Sequence, residues 1–128
     1  MIEKYLSTRY VKGGRGPIEL DCYGLVRLAR SELFGKPLMP LCTEAVPGRF
    51  RAITGAVESV SSLLAMRPVD RTLGAVATAW RGTLCVHVGL VVEADGREWI
   101  LETDEPGPRL TPPRLFEKRY TSVIYYDD

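Results

Sequence analysis

Leu84-Cys85-Val86-His87-Val88-Gly89-Leu90-Val91-Val92-Glu93-Ala94-Asp95-Gly96-Arg97-Glu98-Trp99-Ile100-Leu101-Glu102-Thr103 is the segment on which the architecture turns. Asp95-Gly96 between two β-rich runs is the pattern of a two-residue hairpin, whose favoured turn needs positive φ at its centre. With that turn, Ala94 faces Arg97, Val92 faces Trp99 and Leu90 faces Leu101. One face then carries Val86, Val88, Leu90, Val92, Trp99, Leu101 and Thr103, nearly all apolar. The other carries Cys85, His87, Gly89, Val91, Glu93, Glu98, Ile100 and Glu102. In this register Glu102 is a diagonal cross-strand neighbour of His87, within reach of a long side chain. A slip of one residue would send Glu102 to the opposite face.

Working outward, Leu73–Trp80 and Thr121–Tyr126 read as further strands, set off by Arg81-Gly82 and by a proline-rich connection from Pro106 to Pro113. Upstream the period changes. In Leu20-Asp21-Cys22-Tyr23-Gly24-Leu25-Val26-Arg27-Leu28, Asp21 is a good N-cap. Cys22, Leu25, Val26, Ala29 and Leu33 follow helical spacing, and Gly35 stands where a left-handed C′ residue would. A second helix is expected over Thr54 to Met66, with Val57, Val60, Ser61 and Leu64 on one face and Pro68 stopping it. Residues 1–11 read as a short helix, Gly13 to Pro17 as a turn, and Pro37 to Gly55 as an irregular connection. Helices first and strands after them imply an α+β fold, an antiparallel sheet covered by the Cys22 helix.

The chain has 128 residues, enough for one domain with its own core, and residues 1–128 are read as one unit. A net charge of +1 gives no electrostatic case for nucleic acid or an anionic membrane as partner. Cys22, Cys42 and Cys85 are odd in number and widely spaced, and there is one histidine, so neither a disulfide framework nor a metal site is expected. No apolar run at Met1 to Leu6 resembles a secretion signal, and no stretch reads as a membrane span, so the expectation is a protein made in the cytosol. The glycine-rich turn before the helix lacks the Lys-Ser/Thr of a phosphate-binding loop.

Chemistry concentrates on Cys22 and His87. Free amides and the dipole at a helix start favour negative charge on the sulfur, which marks Cys22 as a reactive thiol. His87 is the one histidine available as its base, and Glu102 could hold the imidazole tautomer as the third member of a triad does. Cys42 and Cys85 read as small buried hydrophobes.

Tyr10-Val11-Lys12-Gly13-Gly14-Arg15-Gly16-Pro17, then Leu20-Asp21-Cys22-Tyr23-Gly24-Leu25-Val26, then His87-Val88-Gly89-Leu90 also resemble a family. They are similar to the NlpC-type cysteine peptidases of the papain-like superfamily, closest to the variety encoded with bacteriophage tail genes. The resemblance implies a papain-like fold with N-terminal helices packed on an antiparallel sheet. It implies Cys22 as nucleophile, His87 as general base, and Glu102 at the third catalytic position, where the family has His, Asn or Gln. Tyr10, Asp21 and Tyr23 fall at positions that line the nucleophile and hold substrate. The implied substrate is a peptidoglycan stem peptide, cut between D-glutamate and the diamino acid without a cofactor. Implied partners are other phage tail-tip proteins, and the implied destination is a virion tail. Gly74-Ala75 replaces the family's Gly-Asp. The same resemblance admits two other readings: a papain-fold structural or binding protein of the tail tip with little hydrolytic activity, and an amidase, acyltransferase or transglutaminase-like enzyme using the same thiol.

Overall fold

The computed structural model describes residues 1–128. It is an α+β protein built on a six-stranded sheet whose pairings are all antiparallel. The elements are α1 (Ile2–Leu6), β1 (Arg9–Tyr10), β2 (Glu19–Leu20), α2 (Cys22–Phe34), α3 (Phe50–Leu63) and β3 (Arg67–Val69). They continue with β4 (Val76–Arg81), β5 (Leu84–Ala94), β6 (Arg97–Asp104), β7 (Gly107–Thr111), α4 (Pro113–Lys118) and β8 (Ser122–Asp127). The strand order is β3-β8-β4-β5-β6-β7, while β1 and β2 form a separate parallel pair.

The β5–β6 hairpin has the expected register. Ala94 pairs with Arg97, Val92 with Trp99 and Leu90 with Leu101, and Asp95 and Gly96 take φ of 53° and 72°. The α2 helix also begins and ends where its caps require, with Gly35 left-handed at φ 65° and its amide donating to the Ser31 carbonyl at 2.9 Å.

Two apolar clusters sandwich the sheet. On one side Leu25, Val26 and Ala29 of α2 and Ile53 and Val60 of α3 meet Val76, Val88, Leu90, Val92 and Leu101. On the other, Phe116 of α4 covers Ala75, Ala77, Ala79, Val91, Ile100 and Tyr125. The alanines let α4 sit close to the strands. Arg30, 1% exposed, joins α2 to the sheet: its Nε donates to the Gly74 carbonyl at 2.9 Å and its Nη2 to Asp127 Oδ1 at 2.5 Å.

Several expectations are corrected. The stretch from Pro106 to Pro113 is not only a connection, because Gly107–Thr111 pairs with β6 as an edge strand, where prolines are tolerated. Pro113 then starts α4, since a first-turn proline lacks only an amide that would have no helical partner. The second helix starts at Phe50, four residues before Thr54, and ends at Leu63. Residues 1–11 divide into α1 and the short strand β1. Leu73 to Ala75 form the turn before β4, with Gly74 at φ 88°. Finally, Ala79 pairs with His87 but Trp80 with Cys85, so Val86 is the extra residue of a β-bulge. The bulge turns Cys85 to the α2 side, away from the face that carries His87. No helix is long and apolar enough to cross a membrane.

Candidate active site

Cys22 is the first residue of α2, and its position is set by main chain and by the Asp21 carboxylate. Asp21 Oδ1 accepts from the Gly24 amide at 2.9 Å and from Arg15 Nη1 at 2.6 Å, while Oδ2 accepts from the Gly13 amide at 3.0 Å. Arg15 in turn donates to the carbonyls of Leu41, Cys42 and Ala45. Gly24 is required at its place, because a Cβ there would collide with the Gly14 carbonyl oxygen. One at Gly14 would lie 2.5 Å from the Glu19 carbonyl oxygen. The glycine-rich turn and the helix start are thus packed backbone against backbone.

Asp21 is fully buried by these partners and lies behind the groove rather than on its wall. Tyr23 also points away: its hydroxyl donates to the Pro40 carbonyl at 2.6 Å, and its ring borders a small apolar cavity between α2 and α3. Tyr10 does reach the groove. Its pairing with Leu20 in the β1–β2 ladder places it two residues from Cys22. Burial first, then the charges of Cys22 and Asp21, push the Tyr10 phenol up, so it remains a proton donor.

His87 lies near the start of β5. Its Nε2 is 2.9 Å from Glu102 Oε1, the diagonal contact that the hairpin register allows. Gly89 lies between them on the same face. A Cβ there would fall 2.5 Å from Ile100 Cγ2 and 3.6 Å from Glu102 Cβ, so the missing side chain leaves Glu102 its path across the strands. Glu102 is wholly buried and fully engaged. Oε1 also accepts from Arg119 Nη2 at 2.7 Å, and Oε2 accepts from Thr111 Oγ1 at 2.5 Å, with Arg109 at 3.5 Å. Phe116 and Tyr120 cover the imidazole, with ring centroids 5.9 and 6.2 Å from it.

These contacts decide the proton's place. Burial pushes the Glu102 carboxyl up, but His87, Arg119 and Thr111 outweigh it and hold the group down at about 2. Burial disfavours the His87 cation, yet the Cys22 sulfur and the Glu102 carboxylate outweigh that and push it up to about 10. Since Nε2 faces Glu102, Nδ1 is the ring nitrogen left for Cys22. The stable arrangement is a charged imidazole held between the Cys22 sulfur and the Glu102 carboxylate.

Cys22, His87, Tyr10, Thr103, Asp104 and Tyr120 share a groove of about 300 Å³, also lined by Pro47, Gly48, Phe50 and Arg81. Thr103 Oγ1 is buried there without a hydrogen-bond partner. Of the positions named from sequence, Cys22, His87 and Tyr10 line the groove and Glu102 supports it, whereas Asp21 and Tyr23 stand behind it. Sequence reasoning missed Arg119, Thr111 and Tyr120, which come from β7 and from α4 and its exit; Pro112-Pro113 was the available signal for that helix. Cys85 is inert by comparison, its thiol pushed up to about 12 by burial. No group of three or more His, Cys, Asp or Glu side chains is arranged to hold a metal ion. Compared with protein-family models, curated proteins and solved structures, the chain matched none.

Proposed function

We propose that this protein is a cysteine peptidase of the NlpC type, with the papain-like arrangement of that family, hydrolysing peptidoglycan stem peptides in a phage tail tip. What carries the reading is the Glu102–His87 hydrogen bond in a groove shared with a thiol on a helix start. The family motifs around Tyr10, Cys22 and His87 supply the substrate class.

In the proposed reaction Cys22 Sγ attacks the carbonyl carbon of the amide between D-glutamate and the diamino acid. The carbonyl oxygen becomes an oxyanion beside the Cys22 amide, which has no helical acceptor, and the Tyr10 hydroxyl. His87 gives its Nδ1 proton to the leaving nitrogen as the C–N bond breaks, leaving a thioester. His87 then takes a proton from water as the oxygen adds to the thioester carbonyl, and the C–S bond breaks to release the acid and the thiolate that began the cycle. Glu102 keeps Nε2 protonated throughout and steadies the cation whenever Nδ1 also carries a proton. No cofactor enters these steps.

The test is digestion of purified peptidoglycan by the protein and by Cys22→Ala, with new amino termini identified by mass spectrometry. The expected result is a free amine on the diamino acid, absent with Cys22→Ala. Equal release by both would reject the mechanism, and a cut at another bond would move the activity to a different substrate.

A further inference from the structure

Arg81 ends β4 and is the one groove-wall side chain with a permanent positive charge. Its guanidinium carbon lies 5.2 Å from the centroid of the Tyr120 ring, the ring that stacks on His87. The turn that follows is pinned, because the Thr121 amide donates to the Trp80 carbonyl at 2.9 Å and the Gly82 amide to Thr121 Oγ1 at 3.3 Å. Arg81 pairs with no carboxylate, and of the arginines in that state it alone lines the groove, whereas Arg109 and Arg119 are each paired.

Sheet order gives this charge a direction. β4 and β6 flank β5, so Arg81 and Asp104 stand on opposite sides of the His87 strand. Asp104 is neutralised by Arg109, whose two terminal nitrogens donate to it at 2.5 and 2.9 Å. The uncompensated charge of the groove is therefore cationic and sits at the β4 end. A planar guanidinium fork suits a carboxylate.

We infer that Arg81 is a carboxylate subsite: favoured substrates carry an ionised carboxylate close to the amide presented to Cys22, and Arg81 binds it. The inference rests on the thiol-hydrolase reading and narrows its substrate class. A γ-linked glutamyl residue with a free α-carboxylate has this group, and its α-carboxamide lacks it.

Iodoacetate and iodoacetamide, similar in shape and different by one charge, test the subsite without a peptide. Each forms a bond from Cys22 Sγ to its methylene carbon as iodide leaves, and alkylation at Cys22 is followed by mass spectrometry. Arg81→Ala is expected to lower the ratio of the iodoacetate rate to the iodoacetamide rate by about fivefold or more, and Arg81→Lys to keep most of it. An unchanged ratio in Arg81→Ala overturns the subsite and leaves the hydrolase reading standing. Failure of both reagents to label Cys22 overturns the hydrolase reading, and the subsite with it. In hydrolysis, the wild type should prefer a γ-glutamyl peptide with a free α-carboxylate over its carboxamide by about tenfold in kcat/KM, and Arg81→Ala should not. A wild type indifferent to that change also overturns the inference.

Discussion

Asp21 and Glu102 are both carboxylates with no exposed surface, both hold an arginine, and each lies one residue from Cys22 or one hydrogen bond from His87. Their partners separate them. Asp21 binds two main-chain amides and the Arg15 guanidinium, none of which gains or loses a proton in the working range. Glu102 binds an imidazole that must do so in every catalytic cycle of the proposed reaction. The same chemical group therefore serves as a fixed brace in one place and as a charge reservoir in the other. Burial alone does not tell them apart, and the titrating partner does.

The largest expected effect breaks the brace. Asp21→Asn should cost about 3–5 kcal/mol, the usual penalty for stranding one member of a buried pair, here between side chains 12% and 0% exposed. Urea unfolding measures it, and the surviving activity should keep a wild-type pH profile. A loss under about 1 kcal/mol would mean that the main chain alone holds the helix start. Glu102→Gln acts on the reservoir. It should lower kcat/KM about 100-fold or more, with its melting midpoint falling by less than that of Asp21→Asn. Turnover within twofold of wild type would make Glu102 a second brace.

Gly89→Ala should cost about 1–3 kcal/mol through crowding against Ile100. It should also slow turnover more than its stability loss explains, because Glu102 lies on the same side of the added methyl. Turnover falling only with the folded fraction would remove that glycine from the site.

The smallest effect is in pH. Glu102, held near 2 against its ordinary 4.5, adds stability that is complete above the higher value and lost as pH falls toward the lower. His87, raised from 6.5 to about 10, adds stability that is complete below the lower value and lost as pH climbs through the higher. Denaturation midpoints at graded pH should show both flanks, and Glu102→Gln should flatten the acid one. The alkaline limb of kcat/KM should stand near pH 10 in the wild type and move to lower pH in Glu102→Gln, which removes the carboxylate that supports the imidazolium. An unmoved limb would assign it to another group.

What could be read from sequence follows from how local the determining physics is. The β5–β6 register depends on a two-residue turn, so Asp95-Gly96 was enough to bring His87 and Glu102 together. The start of α2 depends on one cap, Asp21, and its end on one left-handed glycine. By contrast, α3 begins at Phe50 after Arg49, which makes no side-chain cap, and there was no start signal to find. The bulge at Val86 answers to sheet curvature, a property of several strands at once. β7 was concealed by the prolines on either side of it, and with it went Thr111. The further partners of Glu102 were therefore out of reach even though its bond to His87 was legible.

Gly14 and Gly24 meet with no side chain between them, and that contact has a consequence for redesign. The sulfur is aimed by main chain, as a lens is held by its mount and not by the coating on its surface. Tyr10, Phe50 and Arg81, which give the groove its shape and charge, belong to other elements. New preferences can therefore be painted onto that wall while the thiol stays where it is, whereas any residue larger than glycine at either end of the mount would throw it out of alignment.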